Sequence, residues 1–106
     1  MARIIVRITK QDAEKRLARV PDKFVFWTHD GSVFRDMQEL ADGLNKMSDE
    51  TFAYHSNAEK KDFSNWVNDI LGDDKLARDL AKAKDKTQEA KFVAERLNFL
   101  VSKLAQ

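Results

Sequence analysis

A chain of 106 residues falls well short of the roughly 250 at which one hydrophobic core gives way to two, so a single domain over residues 1–106 is expected. With 19 basic against 18 acidic side chains, 42% hydrophobic residues and no cysteine, the composition excludes a polycation, an acidic tail, a disulfide scaffold and any thiolate site. The longest apolar run, residues 24–27, is too short to span a membrane.

The start of the chain is basic but has no apolar run behind it, so it does not read as a signal peptide, and the cytoplasm is the expected compartment. Charge is spread unevenly: residues 1–20 carry +4, residues 21–59 carry −5 and residues 60–106 carry +2. In a near-neutral chain this polarity reads as attraction within one fold rather than as the mark of a charged partner.

Residues 3–8 place Ile4, Val6 and Ile8 on one face at period two, which predicts a strand. Thr9 is positioned to cap a short helix with Asp12 in its first turn, passing through Ala13, Leu17 and Val20 and stopped by Pro21. Residues 24–27 (Phe-Val-Phe-Trp) are apolar on both faces and predict a strand covered on both sides. Asp30-Gly31 is a tight-turn signal, and Val33-Phe34 would be the returning strand.

Everything beyond residue 35 reads as helix. Asp36 with Glu39 forms a capping-box pattern ahead of the stripe Met37, Leu40, Ala41 and Leu44, and Gly43 leaves room for a close neighbour. Ser48, Asp49 and Glu50 open a second helix carrying Tyr54, His55 and Phe52, the last of which is expected to be largely buried. Asp62 would cap a third, with the stripe Phe63, Trp66, Val67, Ile70 and Leu71, ended by Gly72. Asp73 caps a fourth with Leu76, Leu80 and Ala83. Asp85 with Gln88, or Thr87, opens the last. Its stripe is Ala90, Val93, Leu97, Leu100, Val101 and Leu104, widened by Phe92 and Phe99. So broad an apolar sector is read as a helix deep in its own core, with a partner surface as the alternative. The expected fold is α+β and predominantly helical. A strand and short helix occupy residues 1–20, a compact unit residues 22–84 and a long last helix residues 86–105.

The pairing of Phe52-x-Tyr54-His55 with Asp62-Phe63-x-Asn65-Trp66 resembles a small domain family of archaea and bacteria that carries no assigned activity. Residues 24–27, Asp30-Gly31, Glu39-Leu40, Gly72-Asp73 and Leu76-Ala77 extend the likeness to about half of the chain. The resemblance implies one compact unit of paired strands and several helices, and brings no catalytic or cofactor-binding residue with it.

Tyr54, His55, Asp62 and Trp66, with Asn57 and Asn65 nearby, are the one dense group of chemically capable residues. A His55–Asp62 pair has the makings of a general base. The favoured reading is structural: His55 bridging a helix end, Asp62 capping, and Trp66 filling the core. His29 and Asp30 with His55 lack the spacing of a metal motif, and His29 reads as an exposed turn residue. Lys75, Arg78, Lys82 and Lys86 fall within about 80° of one another at helical spacing and form a candidate phosphate-contacting stripe. No aromatic residue interleaves with it, and Asp74 and Asp79 are placed to pair with it, so a solvated face is the favoured reading.

The expected function is a non-enzymatic interaction or regulatory module with a protein partner, monomeric or weakly dimeric, with no catalytic residue, metal or cofactor. The alternative is a nucleic-acid-associated protein that uses the basic stripe together with Arg3, Arg7, Arg16 and Arg19. An enzyme built on His55 and Asp62 ranks third.

Overall fold

The Thr9 hydroxyl accepts the Asp12 N–H at 3.1 Å while the Asp12 carboxylate accepts the Thr9 N–H at 2.9 Å, a reciprocal cap that starts α1, Lys10–Leu17. The structure, a computed structural model, describes residues 7–105, and the strand expected over residues 3–8 lies largely outside them. Helix α1 stops at Leu17 rather than running on to Val20. Ala18 is already extended, and the Val20 N–H donates to the Arg35 carbonyl at 2.8 Å, so a tertiary hydrogen bond claims the backbone that one more turn would have used.

A single 3₁₀ turn, Asp22–Phe24, leads into β1, Phe26–Trp27, which pairs antiparallel with β2, Val33–Phe34, in the register Phe26 with Phe34 and Trp27 with Val33. Gly31 supplies the positive φ of +91° in the connection. The Thr28 hydroxyl and the Ser32 amide bind the Asp30 carboxylate there and hold its pKa below the usual carboxylate range. The hairpin is covered on one side only, contrary to the expectation of a strand buried on both. Phe26 and Phe34 face the helices, whereas Trp27 is 67% exposed. Alternation along the pleat turns Trp27, with its cross-strand partner Val33, to the face opposite Phe26 and Phe34.

Asp36 caps α2, Met37–Lys46, by accepting the Glu39 N–H at 2.8 Å. Glu39 reaches one residue further back than in the expected box and accepts the Arg35 N–H at 2.8 Å. Met37, Leu40, Ala41 and Leu44 are buried as their spacing requires. The hairpin rests on this helix at Gly43, where an added Cβ would stand 2.1 Å from the Phe34 ring.

Ser48 caps α3, Asp49–His55, through the Thr51 N–H at 3.1 Å. Helix α4, Asp62–Trp66, runs into a π turn at Val67–Leu71 instead of continuing as one α-helix, and Gly72 ends it at φ +75°. Asp73 then caps α5, Asp74–Lys82, and Asp85 caps α6, Lys86–Leu104, which packs across α1, α2 and α5.

One core collects buried residues from Ala13 to Leu100, with Met37, Leu40, Leu44, Phe63, Leu76 and Leu80 almost wholly enclosed. Two expectations are corrected here. Phe52 is only partly buried, and the apolar face of α6 is narrower than expected, with Phe99 40% and Val101 54% exposed. Glu89 and Arg96 take places beside Val93, Leu97 and Leu100 on the covered side, which turns Phe99 and Val101 outward. Among the described residues, no helix is long and apolar enough to cross a membrane.

Candidate functional site

Helix α3 ends at His55 and α4 starts at Asp62. The loop between them folds tightly because the Asn57 side-chain oxygen accepts the N–H groups of Glu59 at 2.9 Å and Lys60 at 3.0 Å, while Ser56 and Lys61 form a β-bridge. This turn brings the two ends together.

His55 is 5% exposed and uses both ring nitrogens. Its Nε2 accepts the His29 backbone N–H at 2.8 Å. A nitrogen that accepts carries no hydrogen, so the proton of the neutral ring sits on Nδ1, which donates to Asp62 at 3.0 Å. Asp62 is therefore not the helix cap that its position suggests. Lys61 is the N-cap residue of α4, without a side-chain bond, and the Asp62 carboxylate is spent on His55 and on Lys60 at 3.4 Å.

The His55 ring packs among Phe26, Tyr54 and Phe63, with ring centroids 4.9–5.5 Å away. The Lys60 ammonium lies 4.1 Å from the centre of the Tyr54 ring, and Tyr54 stacks on the His29 ring at 4.0 Å. His29, Tyr54, Lys60, Asp62 and His55 thus close a ring of contacts that staples the hairpin turn to the α3–α4 junction. Trp66 joins through Phe26, edge to face, and its Nε1–H donates to the Phe24 carbonyl at 2.8 Å. With both nitrogens committed to the fold, His55 has none to offer a substrate. His55→Gln is expected to cost about 1 kcal/mol, because an amide can keep one of the two bonds but not both, each worth about 1 kcal/mol. Urea unfolding reads this, and an unchanged midpoint would show that the hairpin does not depend on the staple.

The outer side of the staple is aromatic. Trp27 is 67% and Tyr54 47% exposed, the His29 ring lies on Tyr54, and Lys23 covers the ring of the exposed Phe24 at 5.1 Å. Trp27 was legible as part of an apolar run but not as a surface residue. The signal was the Asp30-Gly31 turn, since a hairpin with such short arms offers only one face to a core.

The four residues of the basic stripe are divided between two helices, with Lys75, Arg78 and Lys82 on α5 and Lys86 on α6. Lys75 pairs with Asp79 at 2.6 Å and Arg78 with Asp74 at 3.0 Å; the Arg78 hydrogen bond holds the Asp74 carboxyl below its ordinary pKa. Lys82 is exposed on α5, with no ion pair among the described residues. Lys86 belongs to α6. It is half-buried, donates to the Met47 carbonyl at 2.9 Å and pairs with Asp49 at 3.0 Å, tying α6 to the α2–α3 junction. Among the described residues, no group of three or more His, Cys, Asp or Glu is placed to hold a metal ion. Of His29, it is the backbone N–H that meets His55.

Two buried charged features escape a reading of the stripes. Arg96 and Asp73, 8% and 0% exposed, form a bidentate pair at 2.7 and 3.0 Å. Glu89, 2% exposed, accepts the Ser56 hydroxyl at 2.6 Å. Glu89 and Arg96 stand at helical spacing with Val93, Leu97 and Leu100, and that juxtaposition was the available signal. No family model, curated protein or solved structure matches this chain.

Proposed function

We propose that the chain is a non-enzymatic interaction module, acting in the cytoplasm, that receives a protein partner on the outer face of the hairpin and α3. Trp27, His29 and Tyr54 are its contact residues. The observation that carries this reading is the 67% exposure of Trp27 on a strand whose other side is packed and stapled. A tryptophan in water forgoes the burial of up to about 250 Å² of surface, and rigid aromatic side chains recover that area at low entropic cost when a partner covers them. The commitment of both His55 nitrogens supports a binding role over a catalytic one. Membership of the small archaeal and bacterial family is proposed on the same residues, since its pattern spans Tyr54, His55, Asp62 and Trp66.

The test is capture of a crosslinked partner from native-host lysate by the wild-type chain and by Trp27→Ala. The variant is expected to keep its Tm within about 2 °C, because an exposed side chain away from the core contributes little to stability, and to lose the partner at least about tenfold, the scale of a hot spot. Equal capture by the variant would refute the surface. Nanomolar binding of duplex DNA or RNA, weakening steeply with salt by about −0.9 in log–log slope per phosphate, would favour the nucleic-acid alternative.

A further inference from the structure

Phe92 and Phe99 stand two turns apart on one face of α6, the side that flanks α5. With Lys75, Asp79, Glu95 and Arg96 they line an open groove of about 450 Å³ between the two helices. Phe99 is 40% exposed, and the Arg96 guanidinium and the Lys103 ammonium each lie 5.2 Å from the centre of its ring. The charges around it differ in what occupies them. Lys75 is paired with Asp79 and Arg96 with Asp73, within the chain. Glu95 has an exposed contact to Lys91 at 4.0 Å, and Lys103 makes no ion pair among the described residues.

We infer that this face is the contact between two copies of the chain, which pair their α6 helices antiparallel across a two-fold axis at Phe99. Glu95 precedes Phe99 by four residues and Lys103 follows it by four, so all three lie on one side of the helix. An antiparallel two-fold centred on Phe99 sets each residue against the one equally far beyond the centre in the other copy. Phe99 then meets Phe99 of the second copy. Glu95 meets Lys103 of the second copy, and symmetry repeats the pair. The two loosely held charges satisfy each other twice, on either side of the aromatic contact. A partner of one charge sign would match Glu95 or Lys103 and repel the other. A surface with both signs at this spacing matches both, and a second copy carries it by symmetry. The contact is short, which places it among weak interfaces, with a Kd on the order of 10–100 μM. It shares no residue with the surface of Trp27, His29 and Tyr54 and does not depend on that reading.

Sedimentation of the full chain from about 5 μM to about 1 mM tests this, a range that brackets the expected Kd. The average mass is expected to rise with concentration from that of one chain towards that of two. Glu95→Lys and Lys103→Glu, each alone, set like charges against each other twice and should weaken the dimer at least about tenfold. Mixing the two variants restores both opposite-charge pairs in a mixed dimer. The combined variant restores them in its own dimer, and both should associate within about threefold of the wild type. An unchanged Tm shows that the variants are folded, as expected for side chains at the surface. A wild-type chain that stays monomeric at about 1 mM overturns the contact. So does an association that ignores both reversals, that fails to recover on mixing, or that Trp27→Ala abolishes instead. If either reversal does not fold, Phe99→Ala decides: loss of the dimer supports the contact, and undiminished association overturns it.

Discussion

Arg96→Met is expected to remove about 3–5 kcal/mol of folding stability, because it leaves the Asp73 carboxylate buried without its counter-charge. Asp73 is wholly enclosed and serves two masters: it caps α5 through the Leu76 N–H at 3.2 Å and receives the Arg96 guanidinium at 2.7 and 3.0 Å. Methionine keeps much of the side-chain volume, so the loss reports charge rather than a cavity. In that background Asp73→Asn should recover part of the loss, since the amide still caps α5 and carries no charge to strand. Urea unfolding of the two single variants and the double variant measures the coupling. A loss below about 1 kcal/mol for Arg96→Met would mean that water reaches Asp73 and the pair is not a buried one. For a domain of ordinary stability, about 5–15 kcal/mol in total, the expected loss leaves little in reserve.

Trp66→Ala carries the second large effect, about 3–5 kcal/mol. The indole is 7% exposed, packs edge-on against Phe26, and ties its N–H to the Phe24 carbonyl ahead of β1. Trp66→Phe separates the contributions. It keeps most of the apolar volume and abandons the hydrogen bond, so it should cost about 1–2 kcal/mol, the price of one buried carbonyl left without its donor. Thermal unfolding checks both, and an unchanged Tm for Trp66→Ala would show that α4 does not face the core through this residue. The expected order, alanine worse than phenylalanine, also tests whether the hairpin is held chiefly by packing or by its backbone anchor.

The helix caps were legible because each is a local event. Thr9, Asp36, Ser48, Asp73 and Asp85 each bind an N–H three residues ahead, within reach of any chain that begins a helix there. Gly31 and Gly72 were legible for a similar reason, since each meets a positive φ that other residues resist. The stripe of α2 was read correctly because one helix face met one core. In the candidate site, the short connection between α3 and α4 pointed to His55 lying near Asp62 or Trp66, and it is Asp62 that His55 meets. The acceptance of the His29 N–H by His55 was not, because that bond joins residues 26 apart in sequence.

What the sequence determined by itself, then, is the class of fold, the caps at Thr9, Asp36, Ser48, Asp73 and Asp85, the turns at Gly31 and Gly72, and the grouping of Tyr54, His55 and Asp62. Only the tertiary structure decided where α1 stops, which side of the hairpin is covered, what Asp62 binds, and how α6 is turned about its axis. Each of these depends on a distant partner: Arg35 for Val20, the uncovered side of the sheet for Trp27, His55 for Asp62, and Asp73 for Arg96. A cap or a turn is settled among neighbours within one turn of backbone. A buried polar group, by contrast, must find its partner wherever the packing brings one, and no local pattern encodes that meeting.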